Sequence, residues 1–455
     1  MKTLSLASIA LFAVLTSSPW PKPLGGPDQE YARGLAVDDQ DNAYVVGSLE
    51  GQGAAFDGVR LVSAGKSDAF VAKIDRTAHT VWAVAVGGAR ADEGLGIAVS
   101  GAGDAYVTGT FSGTVDFDPG PGKTELTSAG GSDAFLLRLS PKGELVWARR
   151  LGGKLADVGL RVALTKDAVW VAGTFAGTLE NLESAGKNDA FVAKLDLDGK
   201  PLWMKRVGGA KDDEGCGVAP GRNGEVWVAG TFKESPSIGP DGGGLDIGSA
   251  GHNDVFLLRL DPTGRLLWSG RIGGVQDEVC GGIAATVAGG VAVVGEFATT
   301  ADLDPGPGVL SAASHGFSDA FLTRLDGNGR LVWAKGFGET GRDRGTAVTG
   351  DRFGSVYAVG YLDRPKSQGG SMAWVAEHSD SGERAWSVGL QASGGLQGSA
   401  IALNPQGLTL VAGSFKGETK ELLEASSARV KGFGKSDAFL WRLVPPPTTP
   451  TRIRP

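Results

Sequence analysis

The residues in this chain whose types and spacing could do chemistry are carboxylates that return at matched positions. One set precedes a short run of small residues in successive repeats: Glu30, Asp92, Asp157, Asp213, Asp277/Glu278 and Asp343, with Leu396 breaking the series. If those runs converge on one axis, Asp92, Asp157, Asp213, Glu278 and Asp343 would form an acidic collar for cations or a polar ligand. The competing expectation is that each carboxylate accepts backbone N–H bonds in its own Gly-rich turn. Repetition once per unit is what structure demands and what catalysis does not. A second set is Asp116-Phe117-Asp118-Pro119-Gly120, echoed by Asp302-Leu303-Asp304-Pro305-Gly306. Asp-x-Asp beside Gly turns offers hard oxygens to Ca²⁺. Asp116, Asp118, Asp302 and Asp304 are therefore candidate metal ligands. Neither run carries the further ligands of a complete calcium loop, so a rigid Pro-Gly loop is the expected role, and no cofactor beyond calcium is implied.

Other reactive patterns are incomplete. Gly-Lys-Ser/Thr occurs at 65–67, 122–124 and 434–436, but Arg60, Phe117 and Arg429 stand where a phosphate-cradling loop needs its first Gly. The histidines 79, 252, 315 and 378 have no metal-binding spacing, and no G-x-S-x-G elbow is present. The two cysteines, Cys216 and Cys280, lie in matching contexts, DDEGCGVA and QDEVCGGIA. Two small buried thiols are the expectation. A bond between neighbouring units would need Cα atoms within about 7 Å and an oxidising compartment.

The elements that must position these groups are short strands. The marker Asp-Ala-Phe or Asp-Val-Phe opens an apolar run at Asp68, Asp133, Asp189, Asp254, Asp319 and Asp437, with a degenerate copy at Ser371–Trp374. A turn and a Trp-bearing run follow: Trp82, Trp147, Trp203, Trp268, Trp333 and Trp386. Between these hairpins come a run of small residues, such as GIAV at 96–99, and a larger one ending in Gly-Thr-Phe or a variant. That makes seven four-stranded units, and such radial repetition predicts an all-β, seven-bladed propeller of antiparallel blades. Small residues suit the crowded axis, so the order from the centre is A (GIAV-like), B (Gly-Thr-Phe), C (Asp-Ala-Phe) and D (Trp). Only six Trp strands follow a C strand. Trp20, followed by Gly25-Gly26 as Trp82 is by Gly87-Gly88, supplies the seventh and closes the ring from the N-terminus.

Composition agrees. Gly 74 and Pro 21 in 455 residues fit a turn-rich β protein, and 41% hydrophobic residues suffice for a core. A net charge of −7 with no basic stripe argues against nucleic acid, and no apolar run is long enough to span a membrane. Met1-Lys2 followed by apolar Leu4–Leu15 and Thr16-Ser17-Ser18 reads as a secretion signal over 1–18. The propeller would occupy 19–444, and 445–455, VPPPTTPTRIRP without its first Val, would be a Pro-rich extended tail.

The motifs Asp-Ala-Phe-Val-Ala-Lys at 68–73, Gly-Thr-Phe-Ser-Gly-Thr-Val-Asp-Phe at 109–117 and Leu-Val-Trp-Ala-Arg at 145–149, with their copies, resemble the bacterial seven-bladed β-propeller repeat family (SBBP-type repeats). The resemblance covers nearly everything from Trp20 to Leu443. It implies a secreted or surface propeller and brings no catalytic residues.

Strand order places the D–A connections and B–C loops on one face and the tight A–B and C–D turns on the other. The B–C loops vary most, and the sixth is the shortest. Variable loops on a rigid scaffold carry most binding functions. The expectation is a secreted, periplasmic or cell-surface monomer that binds a protein or glycan through this face without catalysis. The alternatives are a glycan hydrolase or lyase with carboxylates in the axial funnel, and a structural component of the surface or matrix.

Overall fold

The structure is a computed structural model that describes residues 21–443 except 52, 240–242, 246, 366–369 and 422–430. The expected secretion signal over 1–18, Trp20 and the expected tail over 445–455 lie outside the described residues. Seven antiparallel sheets, each built on four strands, form the blades. Blade 1 has strand A at Glu30–Val37, B at Ala43–Leu49, C at Asp68–Ile74 and D at Thr80–Val86, in that spatial order. The remaining A strands are Glu93–Val99, Asp157–Leu164, Glu214–Pro220, Glu278–Ala285, Asp343–Gly350 and Leu396–Leu403. The predicted inner-to-outer order is thus observed. Among the described residues no helix is long and apolar enough to cross a membrane.

Ring closure comes from the N-terminus as expected. Lys22–Leu24 is the outer strand of blade 7 and pairs antiparallel with Asp437–Leu443, with Lys22 opposite Leu440 and Leu24 opposite Ala438. Leu24 is fully buried, and the Lys22 ammonium donates to Asp57 and to the Ala78 carbonyl of blade 1. The seam is therefore locked to the first blade as well as the last.

Blade stacking explains the composition of each strand. Strand C of blade 1, Asp68–Ile74, is buried on both faces because neighbouring blades cover it, so it is apolar throughout instead of alternating. Strand B carries a glycine opposite the C-strand ring: a Cβ on Gly47 would strike the Tyr31 carbonyl and the Phe70 ring. The outer Trp residues reach across junctions. The indole N–H donates to the C–D turn of the next blade in Trp82 to Pro141 O (3.0 Å), Trp147 to Leu197 O (3.2 Å), Trp203 to Pro262 O (3.0 Å) and Trp333 to Asp380 O (3.1 Å). They are clamps between blades.

Each A strand carries one β-bulge, and the residue left out of register is Arg33, Leu95, Leu160, Cys216, Gly281, Thr346 or Ser399. Bulges bend a strand and re-aim its side chains. One consequence corrects the expectation of two free thiols: Cys216 and Cys280 are disulfide-bonded, with Cα atoms 5.9 Å apart. Cys216 is the bulge residue of blade 4, whereas Cys280 is still in register, opposite Gly295 in blade 5. That offset of one position lets the two side chains meet across the junction instead of pointing the same way. The bond closes a loop with a sequence separation of 64, so its removal is expected to cost about 2–4 kcal/mol through the unfolded state. Reductant should lower the melting temperature of the wild type and leave Cys216→Ala/Cys280→Ala unchanged. Two free thiols in a non-reducing peptide map would remove the bond from the fold.

Candidate functional site

Each of the repeated carboxylates accepts backbone N–H bonds from its own turn. Asp92 is buried; one oxygen accepts Gly88 N–H (2.7 Å) and the other Ser112 N–H (2.8 Å). Asp157 does the same with Gly153 (2.7 Å) and Ala176 (3.4 Å), and Asp213 with Gly209 (2.6 Å) and Lys233 (3.0 Å). Glu278 accepts from Gly274 (2.6 Å), and Asp343 from Glu339 and from Asp363 (3.0 Å). Each carboxylate ties the D–A turn to the start of the following B–C loop. The structure does not gather them at the channel mouth; it distributes them one to a junction.

There they meet a second acid. The C-strand Asp of one blade and the A-strand acid of the next flank the same glycine: a Cβ on Gly208 would strike both Asp189 and Asp213, on Gly338 both Asp319 and Asp343, and on Gly25 both Asp437 and Glu30. The C-strand Asp also closes its own loop, as when Asp254 accepts Ala250 N–H at 2.7 Å. Asp254 faces Glu278 across its junction, and an oxygen of each is buried without a hydrogen-bond partner, as are Glu30 Oε1 and Asp437 Oδ1. A carboxyl buried beside another acid holds its proton more tightly than one in water. Burial, and next a backbone bond that opposes it, set the balance: Glu278 is pushed up to about 8, Glu30 and Asp157 to about 7, and Asp213 to about 6. Asp92 and Asp343 are raised for the same reason. The junction between blades 6 and 7 replaces all three positions together. Met372 stands for the Asp, Leu396 for the acid, and Gln391 for the glycine that Met372 pairs with. Without an Asp beside it, that position no longer needs to be glycine.

The Asp-x-Asp loops are likewise turned inward. Asp116 Oδ1 accepts Asp118 N–H (3.1 Å) and Thr124 N–H (2.8 Å), and Asp118 accepts Gly120 N–H (2.8 Å). Asp302 accepts Asp304 N–H (3.1 Å) and Leu310 N–H (2.8 Å), and Asp304 accepts Gly306 N–H (2.9 Å). Phe117 and Leu303 between them are buried plugs. Among the described residues no group of three His, Cys, Asp or Glu is placed to hold a metal. Melting is expected to be the same with and without a chelator; a chelator-induced drop would make these loops calcium sites.

The B–C hairpins lie on the outer strand of the preceding blade. That of blade 5 pairs Asp302 with Gly273, that of blade 4 pairs Ile238 with Val207, and that of blade 7 pairs Lys420 with Gln391. Blade 6 has the shortest B–C loop. Next to it a groove of about 680 Å³ opens between blades 5 and 6, walled by Phe337, Trp374, Met372 and Leu362 with Lys335 and Arg384 at its edge. Other blades fill this position with Phe56, Phe117 or Leu303; among the described residues of blade 6 none does.

The axis is where the repeats differ chemically. The channel is narrow, about 140 Å³, and lined by the A strands of all seven blades, including Ile97, Val162, Val218, Ile283 and Ile401. It widens into a vestibule of about 260 Å³ on the face of the B–C loops, lined by Arg33, Leu95, Arg161, Gly281, Arg344, Thr346, Tyr361, Gln397, Gly398 and Ser399. Three guanidiniums from blades 1, 3 and 6 share this space, and among the described residues no carboxylate lines it. Arg161 donates to the Leu160 and Leu95 carbonyls (3.0 and 3.5 Å). Arg344 contacts Glu296 (3.4 Å) and the Cys280 carbonyl (3.2 Å). Arg33 lies against the Tyr31 ring (5.2 Å), and its Nε is buried without a partner. Sequence reasoning missed this cluster. The arginines sit at three different places in the repeat: Arg33 on the bulge, Arg161 after it, Arg344 before it. Only the departure from small or apolar types at channel positions could have flagged them.

No family model matches the chain. A stretch of 164 residues is 34% identical to the regulatory protein FlaEY of Caulobacter vibrioides, covering 32% of this chain and 17% of that protein. Another of 158 residues is 26% identical to an uncharacterized WD repeat-containing protein, L264, of Acanthamoeba polyphaga mimivirus, covering 31% and 11%. The chain thus spans less than a fifth of either relative's length. Among solved structures, the WD40 propeller domain of Doa1 aligns with 92% of this chain and 95% of its own at TM-score 0.44 and 10% identity. A PL25 ulvan lyase aligns with 86% and 93% at 0.43 and 10%. The sheets and their closure establish the fold: a seven-bladed β-propeller.

Proposed function

We propose that the chain is a non-catalytic binding propeller of the SBBP-repeat kind, secreted or displayed at the cell surface as a monomer. It would take a protein or glycan partner on the loop-rich face around the axial vestibule. The carrying observation is that this mouth is built from residues that differ from blade to blade, whereas the repeated Asp, Phe and Trp residues are consumed by turns and junctions. The apolar leader and the disulfide support an oxidising, extracytoplasmic location. Glycan hydrolysis or lysis has less support, because a pair of acids aimed into a shared space is needed and none lines the vestibule among the described residues. The test is a glycan array and an envelope-extract capture with the mature protein, run beside two variants. Arg344→Gln with Gln397→Ala alters the loop face. Lys142→Ala with Lys200→Ala alters the opposite, C–D face. Loss of binding in the first variant only is expected. Loss in the second only, or no ligand at all, would overturn the reading.

A further inference from the structure

We infer that Arg33, Arg161 and Arg344 form a receptor for one anionic group, a carboxylate or a phosphate or sulfate ester, seated at the mouth of the axial channel. This deepens the binding role proposed above and rests on it. The first reason is charge placement. The chain carries a net charge of −7, yet three guanidiniums line one vestibule of about 260 Å³ that has no acid among its described lining residues. Among the described residues neither Arg33 nor Arg161 has a carboxylate within ion-pair distance. Glu296, which touches Arg344 at 3.4 Å, is already held by Arg342 at 2.9 and 2.6 Å. Like charges gathered without counter-charge cost energy unless a ligand supplies it, and a cleft lined by one sign focuses the field on such a ligand. The strain shows at Arg161, which is lowered by burial first and then by Arg344 and Arg33.

The second reason is unspent donor capacity. A guanidinium has five N–H groups arranged for forked bonds to carboxylate or phosphate. Arg33 Nε is buried and unpartnered, and Arg161 has only carbonyl partners, both bonded through Nη1. Tyr361, Gln397, Thr346 and Ser399 add polar groups around the same space. The third reason is that the repeat does not require these residues. Gly34, Gly96, Gly217 and Gly282 hold the position after the bulge where blade 3 has Arg161, and a Cβ on Gly96 would already press on Arg161 and Leu160. An arginine at a site where neighbouring blades have glycine fills the axis at the expense of packing. Anion capture gives it a purpose.

The test is calorimetric titration of the whole chain with inorganic phosphate and, separately, with glucuronate, with ionic strength matched by chloride. One anion per chain is expected. Arg161→Gln and Arg33→Gln should each weaken it by about tenfold or more, the loss of one charge-assisted bond. Arg265→Gln, in a C–D turn on the opposite face, should leave it unchanged. Both mouth variants should melt no lower than the wild type, since a like charge has been removed, and Arg161→Lys should fall between Gln and wild type. Tighter phosphate binding assigns the site to a phosphate or sulfate ester; tighter glucuronate binding assigns it to a sugar acid. Heat no larger than the chloride control, or affinity unchanged in both Gln variants, overturns the inference. If anion binding fails while partner capture on the loop face persists, this inference falls and the proposed function stands.

Discussion

Raising the pH from about 4.5 to about 8 is expected to destabilise this propeller, a dependence opposite to that of a protein stabilised by ionised carboxylates. Six of the seven blade junctions hold a buried acid at the start of an A strand, and burial raises its affinity for a proton. Glu278 moves from 4.5 to about 8, Glu30 from 4.5 to about 7, Asp157 from 3.8 to about 7, and Asp213 from 3.8 to about 6. Below the unfolded values both states are protonated and the junctions are intact. Between the unfolded and folded values the native state holds protons that the unfolded chain releases, so stability falls as pH rises. The slope is at most about 1.4 kcal/mol per pH unit for each junction inside its window. Above about 8 the loss is complete. His378 works in the other direction, since burial lowers it from 6.5 to about 4 and its contribution grows with pH between those values. Asp38 and Asp57, where burial acts to raise the carboxyl but several hydrogen bonds together outweigh it and lower it, weaken the fold only in stronger acid. The six junctions outnumber these opposing groups. Calorimetric melting should therefore peak on the acid side of neutrality and decline toward pH 8. Glu278→Gln removes the charge that Asp254 faces, so it should flatten the decline and melt above the wild type at pH 8. A melting temperature that rises over this interval would show that the paired acids are ionised and tolerated.

Cutting away residues 19–26 should open the ring and cost roughly 5 kcal/mol. The strand Lys22–Leu24 is the fourth of blade 7, and it carries a fully buried Leu24 and a Lys22 bonded to blade 1. Burying a leucine contributes about 1.5–3 kcal/mol, and the ion pair and the exposed edge add to the loss. A total near 5 kcal/mol is comparable to the whole stability of many domains. The truncated chain should bind hydrophobic dye and melt broadly, if it folds at all. Leu24→Asp, which keeps the backbone, should lose most of the same stability. Unchanged melting of the truncated chain would defeat the closure scheme.

The architecture was readable because each strand's packing problem recurs seven times. Small residues at GIAV-like runs, rings at Asp-Ala-Phe and the outer Trp fix the order of strands from axis to rim. The spacing from Trp20 to Gly25-Gly26 exposed the closure. The carboxylates were visible, and so was their expected role in turns. Their pairing was not, because Asp254 and Glu278 belong to different blades and meet only when blades stack. The disulfide was hidden by a bulge: matched sequence contexts suggested equivalent, parallel side chains, whereas Cys216 and Cys280 differ by one position in register. The arginine cluster was least legible. Arg33, Arg161 and Arg344 occupy three different repeat positions, and only the ring brings blades 1, 3 and 6 to one mouth. A search for what repeats finds scaffold; the residues that do not repeat come together only in three dimensions.

The central claim is that these non-repeating residues at the axial mouth make a ligand site. Crystals of the intact chain grown with selenate, whose anomalous signal marks an anion directly, test it most plainly. The account predicts one strong anomalous peak within hydrogen-bond reach of the Arg33, Arg161 and Arg344 guanidiniums. A well-ordered vestibule with no peak, and selenate bound only at lysines on the outer surface, would contradict it.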